Sequence, residues 1–331
     1  MGKILQGNSI DILKTLDGES VDCIITSPPY YQLRRYGTND EEIGQEENPK
    51  KYIDNLMNVF NECYRVLKKD GTMFINISDT YNGTGVKSDL TSKERYNDYS
   101  QRKNSKEIKK KSLIGIPSRL EIALIDSGWI LRNEIIWHKP NAMPSSVNDR
   151  FTVDFEKIFF LTKNEMYYFK QIKEPMKTTD TTRPRGSKGV IGELNSGRRK
   201  QDVLGKETYT GFNDRYQPPK DFMRNKRTVW SISTEANDIT HFAMYPKELV
   251  ETMLECGAKQ NGIILDPFAG AGTTLKIAKQ KGYDYIGIEL YEENCKIIEE
   301  RLSKTPIQMA MDLGELWNAH SYIKKPLAHT V

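Results

Sequence analysis

The chain predicts an α/β fold, a mostly parallel sheet with helices on both faces, and two observations carry that prediction. Apolar runs of strand length alternate with helix-period segments in βαβ order, which implies a largely parallel sheet. Two short motifs at opposite ends of the sequence, TSPPY at residues 26–30 and DPFAGAGTT at residues 266–274, each begin where an apolar run stops. Val21-Asp22-Cys23-Ile24-Ile25 precedes the first and Gly262-Ile263-Ile264-Leu265 the second. In open α/β sheets the loops at the carboxyl ends of strands line the ligand crevice, so these two loops are expected to face each other across one cleft.

Residues 3–6 read as a short strand, 9–16 as a short helix and 21–26 as a buried strand entering the first motif. Ile53, Leu56, Met57, Phe60, Tyr64 and Leu67, spaced three or four apart, predict a helix over 50–68. Lys69-Asp70-Gly71 is its expected stop, with a strand over 72–77. Residues 83–112 are rich in Gly, Ser, Asn, Lys and Tyr and predict a mobile basic loop. A helix near 116–126, a break at Gly128 and a strand from Ile130 to His138 follow. Phe155 to Thr162 and Met166 to Phe169 read as two strands joined by the turn Lys163-Asn164-Glu165. A second polar stretch, 171–228, mixes basic residues with Tyr209, Phe212, Tyr216 and Phe222, which suits nucleic-acid contact. After Val229 to Ile232 and a helix over about 246–257, Gly262 to Asp266 opens a compact unit of strand, glycine loop, helix 273–281 and strand 285–289.

At 331 residues the chain is long enough to bury a sizeable core. A mean hydropathy of -0.65 shows that much polar sequence is attached to it, concentrated in the two stretches above. The net charge of +4 is too mild to prove a polyanionic partner, so the distribution matters more. Basic residues gather at Arg102, Lys103, Lys106, Lys109, Lys110 and Lys111, and again at Arg183, Arg185, Lys188, Arg198, Arg199 and Lys200. Such clusters either neutralise phosphates or form a solvated loop. Cys23, Cys63, Cys256 and Cys295 lie far apart with no Cys-x-x-Cys spacing, which argues against a zinc knuckle or a disulfide framework and for a reducing cytoplasm. No apolar segment approaches membrane-spanning length, and Met1 to Gly7 enters a strand pattern at once instead of a signal peptide.

Phe268-Ala269-Gly270-Ala271-Gly272, between a strand and a helix, lets backbone approach a ligand closely because Gly270 and Gly272 carry no Cβ. A dinucleotide fingerprint needs a third small residue where Leu275 stands, and no Gly-Lys-Ser/Thr follows to make a phosphate loop. What remains is a ligand with a ribose and no phosphate, whose diol Glu289 at the end of the next strand can accept. S-adenosylmethionine fits that description.

Asp266 to Thr274 resembles the cofactor motif of amino-methylating DNA methyltransferases, and the order of motifs, catalytic first and cofactor loop last, resembles their β group. Further resemblance runs through Trp129 to Pro140, Asp149-Arg150-Phe151, Val229 to Ile232 and His241 to Pro246, so it covers most of the chain outside the two polar stretches. It implies a Rossmann-like S-adenosylmethionine-dependent methyltransferase fold with a circularly permuted motif order. Residues 1–170 and 229–331 would form the catalytic domain, and 171–228 a DNA target-recognition region. It assigns the methionine part of the cofactor to the loop holding Asp266, Phe268, Gly270, Gly272, Thr273 and Thr274, the ribose hydroxyls to Glu289, and the adenine to Asn8, which stands where the family usually has an aspartate. Phe242 and Met244 lie in the part of the family that closes over the cofactor.

An exocyclic base amine is a poor nucleophile, because its lone pair is delocalised into the ring. Acceptors at its two N–H groups draw it towards tetrahedral geometry. In TSPPY, Ser27 offers a hydroxyl and Pro28 a carbonyl, on a backbone stiffened by Pro28 and Pro29. Tyr30 would stack on a base rotated out of the duplex. This chemistry needs no metal. Serine at position 27 resembles the cytosine-N4 enzymes, whereas adenine-N6 enzymes mostly carry Asp or Asn there. The expected partner is double-stranded DNA, contacted by Arg183, Arg185, Arg198, Arg199 and Lys200. Monomer and homodimer both remain open, as do adenine-N6 in place of cytosine-N4 as the target, a cognate restriction endonuclease acting on the same site and an RNA or protein amine as substrate.

Overall fold

The computed structural model describes residues 2–33, 41–83, 105–175, 223–235 and 244–307. Two compact units divide them: residues up to Lys170 with those from Thr228 onward, and Gln171–Arg227. The first begins with β1 (Lys3–Gln6), α1 (Ser9–Thr15), β2 (Val21–Thr26), α2 (Pro49–Val66), β3 (Leu67–Ile77), α3 (Ile116–Asp126), β4 (Ile130–His138) and β5 (Phe155–Thr162). In the second unit, β6 (Lys173–Pro175) and β7 (Met223–Asn225) pair as an antiparallel ribbon. The first unit then resumes with β8 (Val229–Ser231), α4 (Lys247–Gly257), β9 (Ile263–Asp266), α5 (Thr273–Gln280), β10 (Asp284–Glu289) and α6 (Glu292–Ser303).

Eight strands form one sheet in the order β1-β10-β9-β2-β3-β5-β4-β8, parallel throughout except for β5. The helices α1, α2 and α3 pack against one another on the sheet, and α4, α5 and α6 form the corresponding second group. From β2 the chain proceeds to β3 on one side, and from β9 to β10 on the other. The loops leaving β2 and β9 therefore part company at adjacent strand ends, the switch point where a doubly wound sheet opens its ligand crevice. Both sequence motifs sit on those two loops. The fold is the expected Rossmann-like one.

Strand β2 is buried along its whole length, as a central parallel strand must be, and its one charge is neutralised. Asp22 receives the Lys68 ammonium at 2.8 Å and the Ile263 N–H at 2.9 Å. Helix α2 buries Tyr52, Ile53, Leu56, Val59, Phe60, Cys63 and Val66, and begins with Asn48 accepting from the Lys51 N–H ahead of Pro49 at the first position.

Two expected boundaries are corrected. The helix ends at Val66, and the strand already starts at Leu67, with a register shift opposite Val21 and Cys23 that absorbs Lys69-Asp70-Gly71. Met166 to Phe169 is not a strand. The Tyr168 N–H bonds to the Asp70 carbonyl and the Lys170 N–H to the Cys256 carbonyl, while Tyr167 and Phe169 pack on Phe160. Alternation there reflects Tyr167 and Phe169 both packing on Phe160 while the backbone between and after them bonds to β3 at Asp70 and to the end of α4 at Cys256. Of the stretch expected to be a mobile loop, residues 105–112 are tied down: the Asn82 amide donates to the Ser105 and Ile108 carbonyls and accepts from the Ser105 N–H. Among the described residues no helix is long and apolar enough to cross a membrane. All four cysteines are buried and none forms a disulfide, and burial pushes the Cys23 thiol up to about 12.

Candidate active site

A cavity of about 630 Å³ opens at the carboxyl ends of the strands. Its wall takes in Ser27, Pro28, Pro29 and Tyr30 from the first motif together with Phe268, Ala269, Gly270, Ala271 and Thr273 from the second, Asn8 from the start of α1 and Glu289 from the end of β10. The two motifs thus share one chamber.

The donor side is built on Asp266, which lies beneath the wall and not on it. At 2% exposure it accepts from Thr26 Oγ1 and Thr274 Oγ1, each at 2.7 Å, and from the Phe268 N–H at 3.1 Å. The Tyr245 hydroxyl adds a fourth contact at 3.4 Å and also bonds to Thr274. Burial pushes the Asp266 carboxyl up from its ordinary value, and the hydroxyl and N–H donors work against that rise. Asp266, Gly272 and Thr274, expected from the sequence to hold the cofactor, stand behind the residues that line the cavity, where Thr274 is bonded to Asp266. Thr26 and Tyr245 belong to this cluster and were not singled out by sequence.

Glu289 is 8% exposed yet lines the cavity, and three donors fix its carboxylate. The Gly270 N–H reaches Oε2 at 2.9 Å, while the Tyr291 N–H and the Asn294 amide reach Oε1 at 3.1 and 2.9 Å. Burial raises its carboxyl above the ordinary value. Gly270 has φ +53, and a Cβ there would find its nearest atom, Phe268 O, 4.0 Å away, so the loop leaves open space at this point. Asn8 Oδ1 accepts the Ile10 N–H at 2.9 Å as the cap of α1, so one of its two acceptor directions is already engaged. Ser9 Oγ donates to the Pro267 carbonyl at 2.7 Å and joins that helix to the loop. The Met244 sulfur lies 3.3 Å from Thr273 Oγ1 and 3.4 Å from the Arg301 guanidinium, which also bonds to the Ala271 carbonyl. Arg301 escaped the sequence reading, whereas His241 and Phe242 lie outside the described residues.

On the acceptor side, the Tyr52 hydroxyl donates to the Pro29 carbonyl at 2.7 Å and fixes the proline turn on α2. Ser27 and Pro28 follow the last strand residue of β2 directly. Around them stand Asn76 from β3, Trp137 and Lys139 at the end of β4, and Glu156 near the start of β5. The Tyr30 hydroxyl donates to Glu156 at 2.6 Å, and Glu156 also receives the Lys139 ammonium. Asn76 Oδ1 is buried with no hydrogen-bond partner among the described residues. His138 stands outside the cavity wall, with Nδ1 3.1 Å from Ser231 Oγ and Nε2 3.7 Å from Asp154, and serves the β4–β8 pairing. The five basic residues expected to contact DNA, Arg183, Arg185, Arg198, Arg199 and Lys200, fall outside the described residues.

A family model described as DNA methylase matches residues 21–300. The chain belongs to that family. Among similar proteins, the Type II methyltransferase M.SmaI of Serratia marcescens is 36% identical over 304 residues, covering 91% of this chain and 90% of its own. The Type II methyltransferase M.Cfr9I of Citrobacter freundii is 37% identical over 301 residues, covering 90% and 87%. Of solved structures, the PvuII DNA methyltransferase (cytosine-N4-specific) superposes with a TM-score of 0.56 at 17% identity, over 91% of this chain and 93% of that one. A putative DNA modification methylase of Thermus thermophilus, complexed with S-adenosyl-L-methionine, gives 0.54 at 21%, over 92% and 96%. At those identities the likeness to the two structures shows the fold alone.

This DNA methylase uses S-adenosyl-L-methionine, and its residues fit that cofactor. The cavity has the size of a small-molecule site. The held Glu289 carboxylate would suit a ribose diol, and the open space at Gly270 would admit the methionine chain. The methylase site contains no group of three or more His, Cys, Asp or Glu suited to a metal among the described residues.

Proposed function

We propose that the protein transfers a methyl group from S-adenosyl-L-methionine to the N4 amine of a cytosine rotated out of duplex DNA, in a restriction-modification role. One observation carries this reading: Ser27 to Tyr30 and the Gly270–Glu289 side share a single cavity. When bound, the cofactor supplies an electrophilic methyl on a sulfonium. The chain's own residues do the rest. The Ser27 hydroxyl and the Pro28 carbonyl accept the two amine N–H groups, turning the nitrogen lone pair out of the ring plane towards the methyl. Alignment then supplies most of the rate, because a bound amine and a bound methyl react as one molecule. The Tyr30 ring covers the extruded base, and a stacking contact of roughly 1–3 kcal/mol offsets much of the cost of extrusion.

Serine at position 27 favours cytosine through its resemblance to the cytosine-N4 enzymes, since adenine-N6 enzymes mostly carry Asp or Asn there. Residues 171–228 act as the target-recognition region, their basic side chains carrying the phosphate contacts. The deciding experiment incubates the protein with labelled S-adenosyl-L-methionine and mixed-sequence duplex DNA, digests the DNA and identifies the methylated nucleoside by mass. N4-methylcytosine is expected. N6-methyladenine would reverse the base, and labelled RNA or protein with unlabelled DNA would overturn the substrate.

A further inference from the structure

Beside the amine-binding turn runs a chain of hydrogen bonds that neither motif requires. Ser27 Oγ donates to the Tyr30 hydroxyl at 3.4 Å, and the Tyr30 hydroxyl donates to Glu156 Oε2 at 2.6 Å. The Asn76 amide nitrogen donates to the same Tyr30 oxygen at 2.8 Å and to the same carboxylate oxygen at 2.7 Å, so neither group turns away without losing a bond. The other carboxylate oxygen accepts from the Lys139 ammonium, which lies over the Trp137 ring, 4.4 Å from its centroid. All six residues line the cavity. Asn76 is 2% exposed and comes from the centre of the sheet, so the arrangement stands on rigid elements and not on a loose loop.

We propose that Ser27, Tyr30 and Glu156 form a proton wire that removes the target amine's proton, with Glu156 as terminal acceptor and Asn76 and Lys139 as positioning residues. The inference rests on the assignment of Ser27 to the amine and is independent of which base is methylated. As the amine nitrogen bonds to the methyl carbon, the carbon–sulfur bond breaks and its electron pair stays on sulfur. The nitrogen has spent its lone pair, carries the positive charge and must lose one proton. That proton passes to Ser27 Oγ, the Ser27 proton to the Tyr30 oxygen, and the Tyr30 proton to Glu156 Oε2. One N–H and two O–H bonds break and three O–H bonds form, and the positive charge ends on the Glu156–Lys139 pair. A cation on the exocyclic nitrogen of a nucleobase has lost the delocalisation of that nitrogen's lone pair into an electron-poor ring and regains it on losing a proton, so it is a far stronger acid than a carboxylic acid and the transfer to a carboxylate runs downhill. The Pro28 carbonyl, the second contact to the amine, has no proton to pass on, which leaves Ser27 as the exit. Glu156 keeps 13% of its side chain exposed, enough to hand the proton to water between turnovers.

Tyr30→Phe keeps the stacking ring and removes the relay hydroxyl, and Glu156→Gln keeps the shape and removes the acceptor. Single-turnover methyl transfer to duplex DNA is measured for both and for the double variant, beside equilibrium affinities for S-adenosyl-L-methionine and for DNA. Each single variant is expected to slow transfer on the order of 10²-fold, as loss of a general base does, with the double no slower than either and the affinities unchanged. Added formate should restore part of the rate to Glu156→Ala and none to Glu156→Gln. Full rate in Tyr30→Phe overturns the wire by itself, even if the Glu156 variants fail to fold, and so do losses that multiply in the double variant. A wild type that methylates DNA and is slowed by Ser27→Ala, while Tyr30→Phe is not, overturns the wire and leaves the proposed function standing. A wild type that yields no methylated DNA overturns both.

Discussion

Alanine at Gly272 should unfold this protein far more readily than alanine at Gly270, two residues away in the same loop. Both glycines have positive φ, +74 and +53, where an L side chain costs about 1–2 kcal/mol. Only at Gly272 is the space taken: a Cβ there would stand 2.8 Å from Ile298 Cγ2 and 3.0 Å from its Cγ1, against a buried residue of α6. Overpacking of that kind costs about 1–3 kcal/mol more. Gly272→Ala should therefore lose about 2–5 kcal/mol, a large part of the usual stability margin of a domain, and Gly270→Ala about 1–2 kcal/mol. Equilibrium urea unfolding reads both, with the midpoint shift at constant slope as the measure. Ile298→Ala alone should cost about 2–5 kcal/mol, yet Gly272→Ala and Ile298→Ala together should cost less than their sum, because the second removes the atoms the first collides with. Equal losses at the two glycines, or strict additivity in the double variant, would refute the reasoning.

Other expectations concern function. Ser27→Ala should cut turnover on the order of 10²-fold with cofactor affinity unchanged in a titration, since it removes a contact to the amine alone; a matching loss of cofactor binding would place Ser27 on the wrong side of the cavity. Because burial raises the Glu289 carboxyl, it should take a proton on acidification before an exposed glutamate does, so cofactor affinity should begin to fall while ordinary carboxylates are still ionised. Glu289→Gln should bind weakly at all pH and lose that acid limb; an unchanged limb would assign it to another group. Changing Arg198, Arg199 and Lys200 to glutamine should weaken DNA binding uniformly across sequences and flatten its logarithmic salt slope by about 0.9 for each phosphate no longer neutralised. An unaltered slope would mark the run as solvated.

How much of this was legible in the sequence depended on whether a residue's neighbours in sequence were also its neighbours in function. The two motifs were readable because each is a short stretch following an apolar run, and parallel-sheet geometry brings strand ends together without further information. Glu156 was not, for a physical reason: β5 is the one antiparallel strand, so its beginning, not its end, reaches the crevice, and a search of carboxyl ends passes it by. The charged pair Glu156-Lys157 at the head of the run Phe155 to Thr162 was the only clue. Asn76 gave a similar hint, a polar side chain inside Thr72 to Ile77. That Asp266 and Thr274 stand behind the cavity lining was not legible, because a motif records that residues recur near a ligand, not whether they line the space or hold the backbone that does. Met166 to Phe169 misled through alternation that the packing of Tyr167 and Phe169 on Phe160 produces without a strand ladder.

The hydrogen bond from Thr26 to Asp266 spans 240 positions of sequence. At the usual pace of ribosomal synthesis, roughly 5–20 residues per second, the proline turn leaves the ribosome roughly 10–50 s before the aspartate that braces the opposite loop. Throughout that interval the nascent chain carries the proline-turn half of the chamber without the glycine loop that lines the other half. A chain cut short anywhere before β9 is therefore inert however well its first strands fold, and methylating capacity arrives all at once, with β9 and the elements that follow it.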